Sequence, residues 1–208
     1  MYFKELSLPH NVLVESEISN MAVQKTIAPD YITIHYDVQR FINPDVVKIL
    51  QTLGLTPTFF VHFGLLGKQQ NQSSIHADIA WKTDHWHHVP FAINWEITPG
   101  LARMEWWDTK DTELFYGYRQ PDNYVDDPKL FLNGLHPGDN NKAFDKFTLL
   151  DTLEFATGKP YLLRTDIPHS VYYRTPAAER ICISLRFPWT SANTWDEAVE
   201  LFRPLFVD

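Results

Sequence analysis

The chain has 208 residues and a mass of 24.3 kDa, with a formal charge of −8 from 18 Lys and Arg against 26 Asp and Glu. That length fits one domain with at most a small appendage, and 44% hydrophobic residues are enough for a real core, which excludes a disordered tail. The acidic balance excludes a general nucleic-acid binder, which needs a basic face to displace counterions. Cys182 stands alone and closes no internal disulfide. No run approaches the length that crosses a bilayer, and no apolar stretch follows Lys4 to form a signal peptide. A cytoplasmic protein with no membrane engagement and no general nucleic-acid binding is the expectation.

In chain order, the first strand expected is Tyr31–Tyr36. A helix follows over Pro44–Leu53: Asn43 caps it, Pro44 fills the first helical position, and Val46, Val47, Ile49, Leu50 and Leu53 form its apolar stripe. Gly54 suits a left-handed stop. Strands are then expected at Thr58–Phe63, Ile75–Ala80, Val89–Ile97 and Arg103–Asp108. Residues 119–146 carry Pro, Gly, Asp and Asn without periodicity, the mark of a functional insertion. Further strands are expected at Phe147–Ala156, Tyr161–Thr165, Ser170–Arg174 and Arg180–Phe187. Thr157-Gly158-Lys159-Pro160 reads as a hairpin turn, and Thr175–Glu179 as a second tight connection. A last helix is expected over Trp195–Phe202, where Thr194 and Glu197 have capping-box spacing. Many short strands with close turns make a mostly β chain of the sandwich, jelly-roll or barrel kind.

Nine histidines raise the question of metal ligation. In His76-Ala77-Asp78 the two side chains lie two residues apart, hence on one face of a strand, and can converge on one ion. The motif alone is weak: nine His and sixteen Asp give roughly 0.7 such pairs by chance, and His35-Tyr36-Asp37 is a second. Context favours the first pair. Enough strands separate Asp78 from His169 to wrap the sheet and return His169 beside His76, whereas the His35 pair runs into a helix. Two His and one carboxylate on one face of an ion leave three positions open, as in non-haem Fe(II) oxygenases. A structural zinc site is closed and more often uses Cys, of which there is one.

His76-Ala77-Asp78, His169 and Arg180-Ile181-Cys182-Ile183-Ser184 together resemble the HxD…H…R pattern of the Fe(II)/2-oxoglutarate-dependent dioxygenases. The phrases Ala92-Ile93-Asn94-Trp95 and Ile167-Pro168-His169-Ser170-Val171 resemble strands of small hydroxylase-like members. The resemblance spans residues 58–188. It implies a double-stranded β-helix (jelly roll, cupin-like) with a few flanking helices. Residues 1–57 would be N-terminal flanking elements and 189–208 the C-terminal helix of a single 1–208 domain. It further implies Fe(II) held by His76, Asp78 and His169, 2-oxoglutarate bound partly by Arg180, and molecular oxygen as oxidant. The expected reaction is hydroxylation of a small molecule or peptide, with release of succinate and CO2. The presence of Asp78 argues against the halogenase variant, in which that carboxylate position is vacated. The chain departs from compact members between Asp78 and Ala92, where Trp81–His88 is inserted.

Residue chemistry gives Arg180 an independent rationale. A buried distal carboxylate needs a cationic partner, and a guanidinium fork with a nearby hydroxyl supplies it. Alternation puts Arg180, Cys182, Ser184 and Arg186 on one face, so Ser184 can assist and Arg186 can substitute for Arg180. Ile181, Ile183, Leu185 and Phe187 form the opposite face, expected to pack under the helix at 44–53. Asn94 could orient a ligand or the cosubstrate, or be a satisfied core residue.

His85, His87 and His88 read foremost as an active-site loop or surface. If extended, His85 and His87 share a face and offer a cupin-type metal site without 2-oxoglutarate. The Trp residues 81, 86, 95, 106 and 107 read first as core or rim, with Trp106 and Trp107 on opposite faces. A non-catalytic jelly-roll binding module with a Trp platform is the remaining alternative. Substrate specificity is expected in loops 64–74, 79–90 and 119–146.

Overall fold

The computed structural model describes residues 1–14, 30–35, 37–57, 59–65, 75–82, 85–97, 102–110, 114–117, 132–137, 147–173, 180–187 and 192–207. These residues are mostly β-sheet with few helices. The strands are β1 (Phe3–Glu5), β2 (Asp30–His35), β3 (Phe59–Leu65), β4 (Ala77–Lys82), β5 (His85–His88), β6 (Phe91–Glu96) and β7 (Ala102–Asp108). They continue with β8 (Leu114–Gly117), β9 (Leu132–Pro137), β10 (Thr148–Glu154), β11 (Pro160–Arg164), β12 (His169–Tyr173) and β13 (Arg180–Arg186). The helices are α1 (Val38–Phe41), α2 (Pro44–Thr52) and α3 (Trp195–Phe202). None of the described helices is long and apolar enough to cross a membrane.

A six-stranded antiparallel sheet has the order β1-β11-β6-β13-β3-β2, a three-stranded sheet the order β10-β7-β12, and a four-stranded sheet the order β5-β4-β9-β8. The two smaller sheets meet at an antiparallel bridge between His76 and His169. Two backbone hydrogen bonds close it, His76 N–H to His169 C=O at 2.9 Å and His169 N–H to His76 C=O at 2.8 Å. Beside it, Asp78 N–H donates to Thr165 C=O at 2.7 Å and Val89 N–H to Asp78 C=O at 3.0 Å.

Strand alternation gives the six-stranded sheet two different faces. Phe91, Ile93 and Trp95 of β6, Ile183 and Leu185 of β13, and the following Phe187 join Val46 and Leu50 of α2 and Trp195, Ala198 and Phe202 of α3 in one buried cluster. The apolar face of β13 thus packs under helices, α2 among them. On the other side, Tyr161 and Leu163 of β11 pack with Ala102, Met104 and Trp106 of β7 and with Leu153 of β10. Trp106 lies in that second core and donates to Arg164 C=O at 2.8 Å, while Trp107 projects the opposite way and donates to Ser170 Oγ at 2.9 Å. Trp95 sits in the first core and donates to Pro9 C=O at 3.1 Å.

Both expected helices form for the expected local reasons. The Asn43 side chain accepts from Asp45 N–H at 2.9 Å, and Gly54 beyond the C-terminus takes φ 71°. At α3 the Thr194 side chain accepts from Glu197 N–H while the Glu197 carboxylate accepts from Thr194 N–H, each at 3.2 Å.

Three expectations need correction. The turn after Ala156 is no hairpin, because β10 and β11 belong to different sheets. Gly158, at φ 73°, instead carries the chain across, and its N–H donates to Glu96 C=O at 2.7 Å. His85–His88 is not a loop: as β5 it pairs with β4, with His87 opposite Ala80 and His88 opposite Ile79. Within 119–146, Leu132–Pro137 forms β9 between β4 and β8, because a strand with two neighbours satisfies its backbone whatever its composition. The rest of 119–146, Thr175–Glu179 and loop residues 66–74 lie outside the described residues.

The helix-packed face should dominate stability. Leu185→Ala should cost about 2–5 kcal/mol through the cavity it leaves. Thr194→Ala should cost about 1 kcal/mol through the lost cap. Urea denaturation of both variants checks the ranking.

Candidate metal centre

β4 and β12 supply the site through their starts. His76 immediately precedes β4, Asp78 lies within it, and His169 opens β12. The backbone bridge between His76 and His169 sets the two imidazoles side by side, with ring centroids 4.5 Å apart and planes tilted by 53°. The two-residue period of the strand adds the Asp78 carboxylate to the same face, with Oδ1 3.6 Å from His76 Nε2. One ligand atom from each of the three residues lies within 4.8 Å of the others. Among the described residues this is the one group of three His, Cys, Asp or Glu side chains close enough to hold an ion. His169 and Asp78 are buried, while His76 keeps a solvent-facing side with 28% of its side chain exposed.

The surroundings prepare both buried donors. His169 Nδ1 lies 2.9 Å from Ile167 C=O. A carbonyl can only accept, so Nδ1 carries the proton and Nε2 keeps its lone pair for a ligand. Burial, reinforced by the nearby His76, pushes the His169 pKa from 6.5 down to about 4, so the ring is neutral at pH 7. Burial by itself would raise the Asp78 pKa, but it is outweighed by Arg186, then His169 and His76, and by the Arg186 hydrogen bond; the carboxyl stays below its usual range.

Arg186 comes from the other sheet. It ends β13, is buried, and donates from Nη1 to Asp78 Oδ2. Sequence reasoning placed Arg186 on the polar face only as a substitute for Arg180 and missed this ion pair. Alternation was the available signal; the meeting of β13 with β4 is not encoded locally. Two residues back on the same face, Ser184 Oγ donates to Asn94 Oδ1 across the β13–β6 pair. A two-residue step spans about 7 Å, so this pair sits one strand repeat from Arg186. Cys182 is buried further along that face. Arg180 opens β13 with its backbone opposite Leu65, and its side chain lies outside the described residues. The same holds for the side chains of Trp81, His85 and Trp86. His88 is exposed, and His87 is partly buried on the strand flanking β4. The chance pair His35 and Asp37 falls at the end of β2 and at the N-cap of α1, where Asp37 accepts from Arg40 N–H at 3.2 Å.

The shifted His169 pKa has a stability consequence. Between pH 6.5 and about 4 the unfolded chain binds a proton that folded His169 refuses. Stability is therefore lost as pH falls through that window, by up to about 3 kcal/mol, and the contribution vanishes above it, where both states are neutral. Chemical denaturation of the metal-free protein across this range should show the loss, and His169→Gln should lack that part of the slope.

No family model matches the chain, and no curated protein does. Among solved structures it is similar to the epimerase SnoN in complex with Fe3+, alpha ketoglutarate and nogalamycin RO, at 12% identity, covering 88% of this chain and 77% of that one. The TM-score is 0.39, a likeness too low to decide either fold or activity.

Proposed function

We propose that the chain is a single-domain Fe(II)- and 2-oxoglutarate-dependent dioxygenase of the hydroxylase type, built on a double-stranded β-helix. The observation that carries this reading is the convergence of His76, Asp78 and His169 from strands far apart in sequence. The donor set fits ferrous iron: two imidazole nitrogens and one carboxylate oxygen, with no thiolate, leave coordination positions for a cosubstrate and oxygen. Strand order supports the fold assignment. Taken in sequence, β3, β4, β6, β7, β10, β11, β12 and β13 pass back and forth between the six-stranded sheet and the smaller sheets. In a double-stranded β-helix the chain winds in this way.

In this reading His76 and His169 ligate through imidazole nitrogens, and Asp78 through Oδ1, the oxygen facing His76. Ferrous iron with 2-oxoglutarate and oxygen supplies oxidation of a substrate C–H bond, coupled to decarboxylation of the cosubstrate to succinate and CO2. The protein's own contribution is placement and exclusion of water. The Ile167 carbonyl orients His169, Arg186 orients Asp78, and the burial of both keeps bulk water from two of the three ligands. Arg180, assisted by the Asn94 amide that Ser184 holds across the neighbouring strand pair, takes the distal carboxylate of the cosubstrate. The substrate, a small molecule or peptide, approaches from the exposed side of His76. A soluble cytoplasmic setting goes with this chemistry.

Anaerobic titration of Fe(II)-loaded protein with 2-oxoglutarate should give a saturable visible charge-transfer band, lost in Asp78→Ala and His169→Ala. Iron bound without the band would favour the cupin-type reading, and no iron bound would favour the binding module. Arg180→Ala should raise the 2-oxoglutarate concentration needed for the band on the order of tenfold or more, with metal binding kept, since a charged hydrogen bond is lost. An unchanged requirement would remove Arg180 from that role.

A further inference from the structure

Asp78 divides its two oxygens between partners. Oδ2 accepts from Arg186 Nη1, and Oδ1 faces His76 Nε2. The pair is deep in the protein, with Asp78 5% and Arg186 6% exposed. Among the described residues, the groups whose charge bears on Asp78 are Arg186, His169 and His76. In this ion pair the carboxylate and the guanidinium charges cancel. A divalent ion entering here would bring two uncompensated positive charges into a buried site, which is costly unless anionic ligands arrive with it. Arg186 also keeps a buried Nε–H that finds no hydrogen-bond partner among the described residues. A buried donor of this kind is met when an anion binds beside it.

We propose that Arg186 is a positioning residue that couples metal binding to cosubstrate binding. By holding Oδ2 it restricts Asp78 to ligation through one oxygen and cancels its charge, so that a divalent metal and a dianionic 2-oxo acid are taken up as a mutually dependent pair. This inference rests on the metal-centre reading above and adds to it the reason for cosubstrate dependence. It assigns Arg186 a role separate from that of Arg180, one exerted on the ligand carboxylate.

The test uses Co(II), which binds such donors and absorbs in the visible, titrated into metal-free protein with and without 2-oxoglutarate. In the wild type, 2-oxoglutarate should tighten Co(II) binding on the order of tenfold or more. In Arg186→Gln that enhancement should shrink about tenfold, and Arg186→Lys, which keeps the positive charge, should restore most of it. A merely structural role would weaken Co(II) binding equally with and without the 2-oxo acid, leaving the ratio unchanged; that result in Arg186→Gln overturns the proposal. If Arg186→Gln does not fold, the wild type can still overturn the proposal. The singly charged 2-oxobutyrate should enhance Co(II) binding far less than 2-oxoglutarate, and equal enhancement overturns the proposal. Failure of the wild type to bind Co(II) at all would instead overturn the metal-centre reading.

Discussion

The two backbone hydrogen bonds between His76 and His169 are the constraint on which the rest of the site depends. An antiparallel pair that exchanges both bonds fixes its two Cα atoms about 5.5 Å apart and sends both side chains to the same face. Two imidazoles 93 positions apart in the sequence are therefore neighbours by backbone geometry, before any side-chain interaction is considered. The same bridge joins the three-stranded and four-stranded sheets. The junction of the sheets and the candidate metal centre are thus one feature. Asp78 then needs only the strand period to reach its place.

The six-stranded sheet serves the site by having unlike faces. Ile183 and Leu185 of β13 belong to the helix-covered core, while Cys182, Ser184 and Arg186 are buried on the other side. A one-residue slip would exchange the two sets and place Arg186 against α2 and α3. The large apolar core that α2 and α3 complete holds the register, and the register delivers Arg186 to Asp78. Hydrophobic burial on one face thereby fixes an ion pair on the other. A buried ion pair adds little net stability on its own, so its value lies in placement.

Much of the fold was legible because its signals are local. Asn43, Pro44 and Gly54 bracket α2, and Thr194 with Glu197 starts α3, since caps satisfy backbone groups within a few residues. Most strands were readable from β-branched and aromatic runs. β1, β5, β8 and β9 were not. His85–His88 and Leu132–Pro137 lack a strand composition, and they pair because β4 presents open edges on both sides. The turn at Gly158 was legible as a turn but not as a crossing between sheets, since turn chemistry does not say which strand comes next.

For the site, the sequence by itself determined that His76 and Asp78 share a face and that Ser184 and Arg186 share another, because a strand has a period of two. It also singled out His169 as the residue to return to them. Only the tertiary structure decided that His169 pairs with His76, that burial keeps His169 neutral while the Ile167 carbonyl holds the proton on Nδ1 and leaves Nε2 free, and that Arg186 reaches Asp78. Those facts depend on which strands meet across and between sheets. Strand meeting is fixed by the burial of whole faces, and no stretch of sequence contains that information alone.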